Sequence, residues 1–426
     1  MNTFSVSRLT LALAFGVTLS ACSSTPADQQ PSTQTAPGTA SRPVLTADEA
    51  KNFTPASYFQ SLDPNAAAWT PAAISIPSQP DFVVGPAGAQ GVTHTTIQAA
   101  VDAAIARHSD RRQFIAIMPG EYTGTVYVPA APGALTLYGT GEKPLDVKIS
   151  QAIDSEMDVN TWRHLVNPAG KYMPGKPAWY MFDSCQSKRA ATVGVMCSAV
   201  FWSQNNGLQL QNLTIANNLG DSVDAGTHQA VALRSDGDQV QINNVNILGR
   251  QNTFFVTNSG VQNRLQNDRQ TRTLVSNSYI EGDVDIVSGR GAVVFDNTDF
   301  RVVNSRTQKE GYVFAPATLK SVTYGFLAIN SRFTASGDNV AQLGRSLTLT
   351  ATPMARSLFA IASLMKALIL PNRGLMPSVQ TVRRWQHGTA DAKGNPQRNL
   401  NDANFNRMWE YNNRGVGSFV VAEPKQ

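Results

Sequence analysis

Apolar positions in most of this chain fall into short runs separated by polar turns. Pro80-Asp-Phe-Val-Val84 is the first patterned run. Thr96 then predicts a helix N-cap, because Ile97, Val101 and Ile105 follow at i, i+4 and i+8 and give one apolar face. Phe114-Ile-Ala-Ile-Met118 reads as a buried strand closed by a Pro119-Gly120 turn, with further short strands at Val126-Tyr-Val128 and Leu135-Thr-Leu-Tyr138. Ser150 to Asn206 is less regular and reads as a long loop insertion. From Leu208 a loose repeat sets in. An asparagine heads a short β-prone run at Asn212, Asn244, Asn277, Asn297 and Asn330, with spacings of 32, 33, 20 and 33 residues. Short strands at regular spacing, with almost no helix, predict an all-β parallel β-helix carrying one short N-terminal helix. Asparagines at matching corners of such a solenoid can form a ladder. A β-sandwich is the competitor, but it calls for tight Asn-Gly or Asp-Gly hairpins, which are scarce here.

One run carries acids where a strand normally packs. In Tyr279-Ile-Glu-Gly-Asp-Val-Asp-Ile-Val-Ser-Gly289, Asp283 and Asp285 alternate with Val284 and Ile286. Strand side chains repeat every second residue, so a continuous strand would send both carboxylates to one face. That face is either a solvated edge or a catalytic carboxylate on a rigid element.

Past Leu347 the texture changes. Met354 to Leu370 is rich in alanine and leucine, and Arg356 and Lys366 inside it make it too short and too charged for a membrane span. Residues 346–390 are read as a local frame error, the alternative being a helix on the solenoid's flank. Suitable codons for Met354 to Ala362, read one base out, encode a turn, a strand and another polar corner.

Composition is that of an ordinary globular protein: 426 residues, 42% hydrophobic and 15% charged. The net charge of +5 is matched by Arg356, Lys366, Arg373, Arg383 and Arg384, in a stretch without acids. The rest of the chain is balanced, and no nucleic-acid footprint appears. Residues 1–21 read as a signal peptide, with Arg8 ahead of the apolar run Leu9 to Leu19. Leu19-Ser20-Ala21-Cys22 resembles a lipobox, in which Cys22 is lipidated. Ser23, where an aspartate would retain such a lipoprotein at the inner membrane, points to the outer membrane and its periplasmic side. Residues 22–45 form the lipidated cysteine and a flexible tether, ahead of a single domain over 46–426. Lipidation leaves Cys185 and Cys197 as an even pair, and a disulfide between them is expected in an oxidising compartment. The histidines do not cluster with the cysteines as a zinc site would.

Several separated stretches together resemble the pectinesterase family, from about Phe82 to Leu347 and again near the C-terminus. They are Thr96-Ile-Gln-Ala-Ala-Val101, Pro119-Gly-Glu-Tyr-Thr-Gly-Thr-Val-Tyr-Val-Pro129, Gln229-Ala-Val-Ala-Leu-Arg234, Gly249-Arg-Gln-Asn-Thr253, Gly282-Asp-Val-Asp-Ile-Val-Ser-Gly289, Leu343-Gly-Arg345 and Met408-Trp-Glu-Tyr-Asn-Asn-Arg-Gly-Val-Gly417. The resemblance implies a right-handed parallel β-helix that hydrolyses carboxylic esters. It makes Asp285 the nucleophile, Gln229 and Gln251 donors to the oxyanion, and Arg345 the cation that orients and ionises Asp285. Coil-corner hydrogen bonding is the plainer reading of the two glutamines, and a structural ion pair that of Arg345.

One departure matters more than the matches. Where the family carries its acid/base aspartate, this chain has Asn252, and an amide cannot protonate a leaving group. The family's aromatic residue after the arginine motif is also absent, Ser346 and Leu347 standing there. Thiolates leave without such help, which agrees with a lipoprotein branch of the family linked to acyl-CoA thioester hydrolysis. Asp283 is a second candidate proton source, through a bridging water. The expectation is a monomeric, lipid-anchored ester or thioester hydrolase with little or no action on pectin. The alternative is a non-catalytic polysaccharide-binding lipoprotein of the outer membrane. No metal or organic cofactor is implied.

Overall fold

Short β-prone runs have no partner within their own turn of chain, so each pairs with the matching run one coil along. The computed structural model describes residues 47–224, 228–306, 311–319, 322–336, 341–344, 359–362 and 410–411, and shows such a parallel β-helix. One ladder runs from Phe82–Val84 through Gln113–Ile117, Leu135–Gly139, Arg272–Ser276, Ala292–Asp296 and Phe326–Ile329 to Phe359–Ala362 and Glu410–Tyr411. A second contains Gly120–Thr123, Val147–Gln151, Tyr279–Gly282, Asp299–Val302 and Arg332–Ala335. The long strands Gln209–Asn217 and Val240–Leu248 bend and belong to both. A third ladder stacks Val126–Val128, Phe201–Ser203, Leu233–Ser235, Phe254–Val256, Val287–Gly289, Gly311–Pro316 and Ala341–Gly344. Each coil is thus a triangle, with its inner residues buried. Phe295, Phe300, Phe314, Phe326 and Phe333 stack inside, Phe300 and Phe333 face to face with ring centroids 5.0 Å apart.

The corner between the first two ladders is where the repeated asparagines lie. Asn212, Asn244, Asn277, Asn297 and Asn330 have φ of 53°, 54°, 51°, 51° and 51°, the left-handed region that asparagine tolerates better than most residues. Their amides climb the stack: Asn244 donates to Asn212 at 3.1 Å and Asn297 to Asn277 at 2.7 Å. Two rungs shift by one residue, Asn277 donating to Asn243 and Asn330 to Asp296.

The cap helix forms as the pattern predicts, over Ile97–Ala106, with Thr96 accepting from the Ala99 amide and Val101 and Ala104 buried. The region 150–206 is a correction. It is folded, holding the end of one strand, the helices Val159–Val166 and Trp179–Gln186, and Phe201–Ser203. Its order comes from aromatic stacking (Trp162 on Phe182, Tyr172 on Phe182 and on Tyr127) and from the Cys185–Cys197 disulfide, Cα atoms 5.9 Å apart. Those contacts join distant residues, which a local search for periodicity does not register. Phe53, Tyr58 and Phe59 add a small second core outside the first ladder, on Val294 and Leu327. The signal segment, Cys22 and the tether lie outside the described residues. So do Arg345, Ser346, Leu347 and the rest of 346–390 apart from 359–362. Those four residues are strand, in place of the helix alternative.

Lys171 pins the helical region to the solenoid by donating to the Thr125 carbonyl, and burial pushes its ammonium down to about 8. The unfolded value is about 10.4, so between those pH values the unfolded chain holds more protons than the folded one, and stability rises with pH. Denaturation of the wild type at pH 8 and 9.5 should show a gain that Lys171→Met lacks. Equal pH dependence in both proteins would contradict this. The comparison stays below pH 10, where the buried phenols of Tyr127 and Tyr172, raised by burial, act in the opposite sense.

Candidate active site

Connections between the second and third ladders differ in length. Residues 249–253 and 283–286 turn tightly, whereas 218–232 and 303–310 on the coils to either side are long. Gln251, Asn252 and Asp285 fall on the two tight corners, and Gln229 on the long connection one coil before them. Gln229 and Gln251 form a parallel bridge, and the Ala230 amide donates to the Gln251 carbonyl at 2.9 Å. On the next coil the Asn252 amide donates to the Val284 carbonyl at 3.0 Å, while Phe254 pairs with Val287. That register sets Asn252 opposite Asp285.

The two acids do not share a strand face. Tyr279–Gly282 ends before them and Val287–Gly289 begins after them, so Asp283 to Ile286 are the corner itself. Asp285 has φ of 50°, as a chain turning between two sheets requires a left-handed residue, and Asn252 has φ of 60° one coil back. Both carboxylates are buried, at 0% exposure for Asp283 and 1% for Asp285, while Val284 is the half-exposed member. Alternation of polar and apolar residues here marked a corner, not a strand. Gly282 permits it: a Cβ there would sit 2.4 Å from Thr253 Oγ1 and 2.9 Å from the Arg250 carbonyl oxygen.

Side chains around the corner have defined partners. Asn252 Nδ2 donates to Ser288 Oγ at 2.7 Å, both residues being buried. Gln251 Oε1 is buried with no hydrogen-bond partner among the described residues. A half-turn of that amide exchanges oxygen for nitrogen, so the same position can present a donor. Asp283 is fully engaged: Arg306 Nε and Nη2 donate to its two oxygens at 2.7 and 3.2 Å, and the Val284 amide donates at 2.8 Å. That pairing removes the suggestion that Asp283 relays a proton through water. A third Arg306 nitrogen donates to the His228 carbonyl at 3.2 Å. Gln229 is held by Ser155, whose Oγ accepts from its amide at 2.9 Å, and His228 Nδ1 lies 2.6 Å from Asp154 Oδ2. On the rim, Arg250 donates to Asp221 at 2.8 Å and holds that carboxyl below its usual range. Tyr279 donates to Glu281 at 2.7 Å, and burial, followed by the neighbouring Glu281 charge, raises its phenol. Among the described residues no group of His, Cys, Asp and Glu gathers as a metal site.

Comparison with known proteins identifies the family. The family model described as Pectinesterase matches residues 183–372. The chain is 46% identical to "Pectinesterase B" of Dickeya dadantii over 95% of this chain and 97% of that one. The chain belongs to the pectinesterase family. Another member, "Putative acyl-CoA thioester hydrolase YbhC" of Escherichia coli K12, is 69% identical over the whole of both chains. The crystal structure of Escherichia coli YbhC superposes with a TM-score of 0.82 at 66% identity, covering 92% of this chain and 99% of that one. The structure of rice weevil pectin methyl esterase superposes at 0.68 and 32% identity, covering 90% and 100%. The molecule is therefore a pectinesterase-fold hydrolase. Of the residues that the family motifs single out, Gln229, Gln251, Asn252 and Asp285 share one corner, while Arg345 lies outside the described residues.

Sequence reasoning missed Arg306, His228, Asp154, Ser155 and Ser288. His228 was within reach, since it adjoins Gln229. Ser288 stands in the same motif run as Asp285, and the other three meet the site only through pairings 23 to 78 residues long in sequence. Gly282→Ala should cost about 1–3 kcal/mol by overpacking the corner. Chemical denaturation measures it, and a wild-type midpoint would show that the Arg250–Thr253 turn yields freely.

Proposed function

We propose that this chain is a lipid-anchored hydrolase of the outer membrane that cleaves esters or thioesters through Asp285, selecting acyl groups on good leaving groups. The observation that carries the reading is the single corner where buried Asp285, the Gln229–Gln251 pair and Asn252 meet. Asp285 attacks the carbonyl carbon, and the glutamine amides donate to the oxyanion that develops. Arg345 is assigned the role of keeping Asp285 ionised, as a nearby cation lowers a carboxylate pKa. Collapse expels the leaving group and leaves a mixed anhydride on Asp285, which water hydrolyses.

Asn252 sets the substrate class. Its Nδ2 is committed to Ser288 and carries no acidic proton. Methanol must leave as an alkoxide whose conjugate acid is near bulk water, ~15.7, whereas a thiol leaves as a thiolate of pKa about 8.5. Thioesters and activated esters thus suffer least from the missing acid, and methylated pectin suffers most. The name of the Escherichia coli relative supports a thioester substrate, and the Dickeya dadantii name an ester. Acyl-CoA is not expected on the periplasmic face, so leaving-group chemistry rather than CoA itself defines the class. The lipobox-like Leu19-Ser20-Ala21-Cys22 supports an acylated Cys22, with residues 23–45 as tether and Ser23 directing the protein outward. The protein is read as a monomer.

The full chain in detergent, assayed on methylated pectin, a p-nitrophenyl ester and a long-chain acyl thioester, tests the reading. Turnover should favour the last two and vanish in Asp285→Ala. Folded protein inert on all three would leave a polysaccharide-binding lipoprotein as the better account. Asn252→Asp should raise methyl-ester hydrolysis by roughly 10²-fold, the low end for general acid catalysis, and change thioester hydrolysis little. Labelled palmitate should enter the wild type and not Cys22→Ala, and the wild type should fractionate with outer membranes.

A further inference from the structure

The buried pair Asp283–Arg306 lies beside the proposed machinery without belonging to it. Both side chains are 0% exposed, and the guanidinium makes three hydrogen bonds to two separate coils. Two of them grip Asp283, two residues before the nucleophile. The third reaches the carbonyl of His228, one residue before Gln229. Among the described residues no backbone bridge joins these coils directly, because the Gln251 coil lies between them. Arg306 therefore spans the intervening coil and ties the two ends of the site together.

Other contacts immobilise both ends of this strut. Ser155 fixes Gln229 through both backbone groups, its amide donating to the Gln229 carbonyl at 3.0 Å and its Oγ accepting from the Gln229 amide at 2.9 Å. Asp154 holds the His228 ring, and Asp224 Oδ1 stands 3.6 Å from its other nitrogen. At the far end the Val284 amide and Arg306 together fill the oxygens of Asp283. Removing two charges from water is expensive, and a buried ion pair often stabilises a fold no better than packed apolar residues would. Stability alone is thus a poor reason for this pair to sit here.

We propose that Arg306 is a positioning residue whose bridge from Asp283 to the His228 carbonyl sets the spacing between the oxyanion donor Gln229 and the nucleophile Asp285. The proposal rests on the roles assigned to those two residues above. A misplacement of about 1 Å in a reacting constellation can cost on the order of 10²-fold in rate. The strut acts on geometry needed in the transition state, so its loss should lower kcat and leave KM nearly unchanged.

Arg306→Lys is the decisive variant. Lysine keeps the positive charge for Asp283, but it is a point charge without the planar fork needed to serve two coils at once. The full chain in detergent is assayed on a p-nitrophenyl ester and an acyl thioester. kcat should fall about 10- to 100-fold on both, with KM within about two-fold of wild type. Crystal structures of wild type and variant should show an altered Gln229–Asp285 spacing in an intact solenoid. Wild-type kcat, or a loss confined to one leaving group, would overturn the proposal, the second by making Arg306 part of proton transfer. Unchanged spacing in the variant would overturn it also. Should Arg306→Lys fail to fold, Asp283→Asn keeps the bond to His228 while loosening the nucleophile corner, and must show the same kcat loss. A wild type inert on every substrate would sink the hydrolase reading alone. The crystallographic spacing would still decide whether Arg306 sets the geometry.

Discussion

Parallel pairing between successive coils is the constraint on which the rest of this molecule depends. Strands about 4.8 Å apart must be followed by strands at the same place one coil later, or their amides and carbonyls go unpaired. A coil can vary only where it is not paired, at its corners. From Asn212 to Asn330 the asparagine corner repeats, each step reusing a left-handed residue and an amide bond to the step before. The corner between the second and third ladders varies in length, and the candidate site lies there. Conformity on one edge is what lets the other edge diverge without loss of register.

The site shows how environment sorts like residues into unlike roles. Asp283 and Asp285 are two residues apart and equally buried, yet one is saturated by Arg306 and a backbone amide. The other sits in a left-handed turn opposite Asn252. Asn252 occupies the position of a proton donor in the family pattern and is itself a buried hydrogen-bond donor to Ser288. On the roles proposed above, the corner would attack a carbonyl and hold an oxyanion, while an amide in place of an acid could not protonate a poor leaving group. That proposal narrows the substrate towards groups that depart as stable anions.

Much of this was legible in the chain. Period, turn residues and the spacing of the asparagines are local signals, and so were the solenoid, the Thr96 cap, the asparagine ladder and the pairing of Cys185 with Cys197. The candidates Gln229, Gln251, Asn252 and Asp285 could be picked out because they stand in short runs that resemble the family's motifs. Two local readings failed for one reason. The alternation around Asp285 looked like a strand, and the stretch from Ser150 to Asn206 looked like a loop. In both, conformation is set by features that a local periodicity does not register, by a left-handed corner between two sheets in one and by stacked rings in the other.

The sequence by itself determined the architecture, the asparagine corners and the candidate site residues, because each is written in a short window or a repeat. Only the tertiary structure decided that Asp283 pairs with Arg306, that Asp285 is placed opposite Asn252, and what holds Gln229 in place. Those answers depend on Arg306, Ser155 and Asp154 arriving from 23 to 78 residues away. A solenoid brings such residues together by stacking coils, and no window along the chain contains them.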